Sequence, residues 1–344
     1  MNVLALVRKN IRSIEPYSSA RDEYSDSNSN MVFLDANENP FENGVNRYPD
    51  PQQLSVKEQL SEIKSMPSEN ILLGNGSDEV LDLLLRAFCE PNQDEIIILP
   101  PTYGMYKVLA NVNAVKIKEV HLTESFQPKT ASILANATLQ SKILFLCSPN
   151  NPTGNSFDKN EVEKLIKQFN GIVVIDEAYI DFSEQKSWLN RLEEFPNLII
   201  TQTLSKAYGM AGIRLGICYA SKEIIKILNA IKPPYNVNEL TQNFALKQLT
   251  NYEEINSQIT ELKISRNQLV SDLEKISFIQ EIYPSDANFL LIKVDDANYR
   301  YHQLIKNKIV IRNRTNQPLC ENCLRISIGT KTENELLIKT LQQL

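Results

Sequence analysis

Five short segments of this chain are apolar at nearly every consecutive position: EIIILP (95–100), KILFLCS (142–148), GIVVIDEAY (171–179), NLIITQT (197–203) and RLGICYA (214–220). A strand with one wet face alternates apolar and polar residues. These runs do not alternate, so both of their faces must be buried, as in a mainly parallel sheet covered on each side by helices. Helix-patterned stretches lie between them, such as SDEVLDLLLRAF (77–88) and DKNEVEKLIKQF (158–169). The alternation predicts an α/β fold, with a large domain over residues 31–230. After Lys232-Pro233-Pro234 the texture changes. A long charged helical stretch (238–276) precedes ANFLLIKV (287–294), IVIRNR (309–314), CLRISIGT (323–330) and a closing helix, TENELLIKTLQQL. This reads as a smaller α+β domain, residues 231–344. Residues 1–30 are polar and irregular, ending in SDSNSN, and read as an N-terminal arm with a short helix before Pro16.

The bulk properties limit the partners. A formal charge of -6 over 344 residues gives no basic footprint for nucleic acid. No apolar run reaches the length of a membrane span, and the five apolar residues Val3 to Val7 are too few for a signal-peptide core. The expectation is a cytoplasmic protein. The five cysteines include Cys320-x-x-Cys323, which reads as half of a zinc site or a redox pair. No second pair follows and only His121 and His302 are present, so free thiols and no metal are expected.

Four features sit where the carboxyl ends of the strands should lie, the place where open α/β sheets bind ligands. Lys206, in Thr-Leu-Ser-Lys, follows a buried run. It is either a surface lysine at a strand end or a desolvated amine able to attack an aldehyde. Asp176 ends the run Ile172 to Ile175 and must either cap a turn or meet a cation. SPNNPTG (148–154) is by composition a turn, and it also aims the Asn151 amide at the same crevice. LGNGSDEVL (73–81) puts glycines before Ser77 and a helix, a seat for an anion. It lacks the Gly-Lys-Ser/Thr ending of a nucleotide P-loop. Eight of the ten glycines fall in such motifs.

Taken together, SPNNPTG, DEAY (176–179) and TLSK followed by Gly-Ile-Arg214 resemble the fold type I superfamily of pyridoxal-phosphate aminotransferases. LDANENP (34–40), NRYPDP (46–51), GNGSDE (74–79), PPTYGMY (100–106), VVIDEAYIDF (173–182) and CLRISIGT (323–330) resemble its histidinol-phosphate aminotransferase branch, in order from end to end. The resemblance implies a large domain with a mainly parallel seven-stranded sheet between helices, plus a smaller α+β domain. It implies pyridoxal 5'-phosphate as cofactor and a homodimer with composite active sites. Lys206 would form the Schiff base with the cofactor aldehyde and later carry the proton. Asp176 would keep the ring nitrogen protonated, Asn151 and Tyr179 would bond the ring's phenolic oxygen, and Tyr103 would stack on the ring. Gly76, Ser77, Ser205 and Arg214 would hold the phosphate, with Tyr48 reaching it from the neighbouring subunit. Tyr17, Asn37, Arg312 and Arg325 would bind substrate, although Arg325 alone also reads as an edge-strand arginine paired with a surface carboxylate.

The implied reaction is transamination of L-histidinol phosphate with 2-oxoglutarate, giving imidazole-acetol phosphate and L-glutamate, a step of histidine biosynthesis. An aromatic amino-acid aminotransferase or a threonine-phosphate decarboxylase of the same fold is the alternative. The sensor half of a transcription regulator is disfavoured, because only about thirty polar residues, too few for a DNA-binding domain, precede the core.

Overall fold

The structure is a computed structural model that describes residues 2–17 and 32–344. The predicted Ser/Asn patch at 25–30 lies outside the described residues, as does most of the expected arm. A short 3-10 turn, Val3–Leu6, and a one-turn helix, Lys9–Arg12, stand before Pro16.

The larger sheet has seven strands: β1 (Ile71–Asn75), β2 (Glu95–Ile98), β3 (Lys116–Glu119), β4 (Ser141–Cys147), β5 (Ile172–Asp176), β6 (Leu198–Thr203) and β7 (Leu215–Tyr219). Their order is β1-β7-β6-β5-β4-β2-β3, and only β7 runs against its neighbours. The consecutive apolar runs explain the layering. Ile172 and Val174 of β5 enter one core cluster, and Val173 and Ile175 enter another on the opposite face. Each face is then roofed by helices. One of these, Ser77–Phe88, places Asp78 and Glu79 in its first turn, where the helix dipole favours negative charge.

The smaller sheet contains β8 (Ile279–Ile282), β9 (Phe289–Val294), β10 (Arg312–Asn313) and β11 (Cys323–Ser327), all antiparallel, in the order β10-β11-β9-β8. Leu290, Ile292, Leu324 and Ile326 face a core made with the helices Tyr252–Leu273, Ala297–Lys306 and Lys331–Leu341. Their alternates Phe289, Leu291 and Cys323 join the core of the large sheet instead. Arg325 lies between Leu324 and Ile326, so strand alternation turns it away from the small core and towards the large sheet.

Two expectations change. The helical stretch 238–276 is two helices, Glu239–Leu249 and Tyr252–Leu273, interrupted at Thr250 and Asn251, which are poor interior helix residues. The strand expected over 309–314 shortens to two residues, because Val310 is 79% exposed and has no sheet neighbour to bury it.

Candidate functional site

Every parallel strand of the large sheet ends at the same edge, and the segments that follow β1, β2, β4, β5 and β6 line one cavity of about 480 Å³. Asp176 is the last residue of β5. Ser148 to Gly154 follow β4, and Ser205 and Lys206 follow β6. β1 runs parallel to β6, because both pair antiparallel with β7, so its exit at Gly76 and Ser77 reaches the same edge. β7 starts there, just after Arg214. The opposite wall comes from the small sheet through Arg312, Arg314, Gln317 and Arg325.

Asp176 is buried, and two neutral donors serve it. The Tyr106 hydroxyl donates to Oδ2 at 2.7 Å and the Ala178 backbone N–H donates to Oδ1 at 3.2 Å. Burial pushes its carboxyl above the usual range, and these hydrogen bonds only oppose the shift. Tyr106 is fixed by stacking on Phe145, with ring centroids 4.7 Å apart and planes at 9°.

Lys206 is exposed and lines the cavity, with Nζ 5.9 Å from the centre of the Tyr179 ring. Desolvation lowers its pKa, and the charges of Arg325 and Arg214 lower it further. Asn151 Nδ2 donates to the Tyr179 hydroxyl at 3.3 Å, while Asn151 Oδ1 accepts from Arg325 Nη1. Asn151 therefore bridges the two sheets. Tyr103 forms part of the wall, and its hydroxyl donates to Asp78 at 3.1 Å. Asp78 also lies 3.6 Å from Arg214.

The start of the helix Ser77–Phe88 is a tight cradle. Gly76 has φ +80°, and a Cβ on it would stand 2.7 Å from Arg214 Nη2. A Cβ on Gly216 would stand 2.2 Å from the Ser77 amide nitrogen. Only glycines let β7, the helix start and the Arg214 fork come together.

Of the residues singled out from sequence, the cavity brings together Ser77, Tyr103, Asn151, Asp176, Tyr179, Ser205, Lys206, Arg214, Arg312 and Arg325, with Gly76 directly behind Arg214. It does not include Tyr17, Asn37 or Tyr48 of the same chain. Tyr17 is exposed, Asn37 and Tyr48 line a separate crevice, and Tyr48 stacks on Tyr235 at 4.5 Å. Sequence reading missed Tyr106, Asp78 and Arg314. Tyr106 stands in the quoted string PPTYGMY, but nothing in that string links it to Asp176.

The family model for "Aminotransferase class I and II" matches residues 22–341. A histidinol-phosphate aminotransferase from Christiangramia forsetii is 61% identical over 343 residues, covering 100% of this chain and 98% of that one. The crystal structure of the histidinol-phosphate aminotransferase from Clostridium acetobutylicum superposes with a TM-score of 0.80 at 25% identity, covering 87% of this chain and 90% of that one. The enzyme of that name from Sinorhizobium meliloti, solved in complex with pyridoxal-5'-phosphate, shares the fold with a TM-score of 0.79 at 22% identity, covering 86% of this chain and 82% of that one.

Proposed function

This chain belongs to the class I and II aminotransferases, and from that premise we propose that it moves the amino group of L-histidinol phosphate to 2-oxoglutarate, using pyridoxal 5'-phosphate. The observation that carries the reading is the convergence of the Lys206 amine, the buried Asp176 carboxyl and the guanidinium groups of Arg214, Arg312 and Arg325 around one cavity.

The residues present fit this cofactor. No lysine or arginine among the described residues stands within 4 Å of the Asp176 carboxyl, and a protonated ring nitrogen would supply a cation there. The glycine cradle, the free N–H groups at Ser77, Ser205 and Arg214 suit a phosphate. Tyr103 offers a flat wall, and the Asn151–Tyr179 pair offers donors for a phenolic oxygen. When bound, the cofactor supplies an aldehyde for the amino group and a ring that takes up the electron pair released at the substrate carbon.

The chain's own residues do the rest. Lys206 Nζ, held towards its neutral form by desolvation and two arginines, takes the proton from the amino-bearing carbon. Tyr106 holds the Asp176 carboxylate in place. Arg325, itself positioned by Asn151, clamps the anionic end of the substrate with Arg312.

Tyr48, Tyr17 and Asn37 act in a dimer, Tyr48 reaching the phosphate of the neighbouring subunit's site. Val32 (80% exposed), Leu34 (86%), Phe41 (80%) and Leu240 (68%) supply the apolar surface such a contact would cover. All five cysteines are buried free thiols, which suits a reducing compartment, and we place the enzyme in the cytoplasm. No helix of the described residues is long and apolar enough to cross a membrane.

The test is an assay of the purified protein with histidinol phosphate and, separately, phenylalanine as amino donor to 2-oxoglutarate. Histidinol phosphate should be the preferred donor; a clear preference for phenylalanine overturns the substrate assignment. Lys206→Ala should lose at least roughly 10²–10⁴-fold of the turnover.

A further inference from the structure

We propose that Arg314 joins Arg312 and Arg325 in a seat of three guanidinium groups that selects a doubly charged phosphate monoester over a carboxylate, which makes Arg314 a specificity-determining residue. This rests on the substrate reading above and extends it to a residue that reading leaves without a role.

The placement follows from strand geometry. Arg312 lies directly opposite Arg325 across the β10–β11 pair. Arg314 is two residues further on, and its N–H donates to the Cys323 carbonyl at 2.8 Å, which continues the pairing beyond β10. Residues opposite one another and two apart share a face, so all three side chains are directed into the cavity that they line.

None of the three forms an ion pair with a carboxylate of the described residues, and like charges directly opposite one another on a sheet face repel. The Arg314 Nε is buried and has no hydrogen-bond partner, a donor that is costly to leave unserved. Burial and mutual repulsion hold Arg325 at about 10 and also lower Arg314. The formal charges lining the cavity are five positive (Lys206, Arg214, Arg312, Arg314, Arg325) against one negative (Asp176), a surplus of four. Arg214 already faces Asp78 at the other end. The three small-sheet arginines thus form an unneutralised group of their own.

Oxygen count separates the two classes of anion. A carboxylate has two oxygens with about four lone-pair sites, which two guanidinium forks fill. A phosphate ester offers three terminal oxygens and close to two charges at neutral pH. A third arginine finds an acceptor only on the phosphate.

The experiment measures both half-reactions of the cofactor-loaded enzyme, with histidinol phosphate and with glutamate, in wild type, Arg314→Gln and Arg314→Lys. Arg314→Gln should lower kcat/KM for histidinol phosphate by roughly 10- to 100-fold and leave the glutamate half-reaction nearly unchanged. Arg314→Lys, with a point charge in place of the fork, should fall between. Competitive inhibition by inorganic phosphate against glutamate is read in parallel, and should weaken in Arg314→Gln and lose its dependence on pH across the range where the phosphate dianion takes up a proton. Equal losses on both substrates, or phosphate inhibition as strong in Arg314→Gln as in wild type, would overturn the proposal. A wild-type enzyme that does not turn over histidinol phosphate sinks the substrate reading instead, and the phosphate inhibition still decides the role of Arg314.

Discussion

At the scale of single residues, the carboxylate of Asp176 holds a conflict that function resolves. Its folded pKa is raised by burial, so the folded chain holds a proton there more tightly than the unfolded chain. The stability linked to that proton is present at low pH and is lost as pH rises from the unfolded value through the folded one. In cofactor-free protein, Asp176→Asn should therefore raise the melting temperature at pH 7.5, with a smaller gain at pH 4, and in the cofactor-loaded enzyme it should abolish turnover. Calorimetry at the two pH values checks the sign, and a variant less stable than wild type at pH 7.5 refutes it. Tyr106→Phe keeps the stack on Phe145 but removes the donor to Asp176. One neutral hydrogen bond of about 1 kcal/mol corresponds to about a fivefold drop in kcat, with little change in KM. Asp176 and Lys206 were visible in the sequence because charge at the end of an apolar run demands a reason. Tyr106 was not, since its partner is 70 residues away and only the sheet order brings the two together. Arg314 closes the expected strand IVIRNR, but which residues it stands beside is not legible until the β10–β11 register is known.

At the scale of elements, close approach sets the tolerances. A methyl group at position 216 would run into the backbone at Ser77 and Gly76, which cannot swing aside as a side chain would. Gly216→Ala should cost at least about 2–3 kcal/mol and weaken cofactor retention. Gly212→Ala, where a Cβ meets nothing within 4 Å, should stay within about 0.5 kcal/mol. Denaturant unfolding of the pair measures the contrast, and equal costs would contradict the packing argument. The central strands β4, β5 and β6 were legible because burial on both faces leaves uninterrupted apolar runs. β3, with the sequence KIKE, was not. It is an edge strand with exposed or half-buried residues, and its sequence carries no apolar signal. The break at Thr250 and Asn251 was hidden by the polar texture of both flanking helices. The LGNGSDE string announced a helix start, yet the strand β1 before it did not stand out, because its apolar run Ile71 to Leu73 passes directly into Gly74 and Asn75.

At the scale of the whole molecule, buried charge away from the site makes stability depend on pH. Lys57, on the helix Leu54–Lys64, is pulled down to about 8 by burial and by Lys232, against the opposing effect of Asp50. The unfolded chain keeps that proton up to the ordinary lysine range. Stability should accordingly rise with pH between about 8 and 10. Lys57→Met should flatten this rise and be more stable at pH 7 by up to about 3 kcal/mol. Unfolding of wild type and variant across pH 7 to 10 tests it, and identical slopes would contradict it. The architecture also has a consequence for length. A single link of eleven residues, 204–214, leaves β6, carries the amine, and turns into the reversed strand β7 behind the arginine fork. Both cations are thus measured off from one fixed pair of strand ends, as beads on one short string. Exchanges of the other side chains in that link can be absorbed one at a time, whereas a single inserted or deleted residue would shift the two charges against each other.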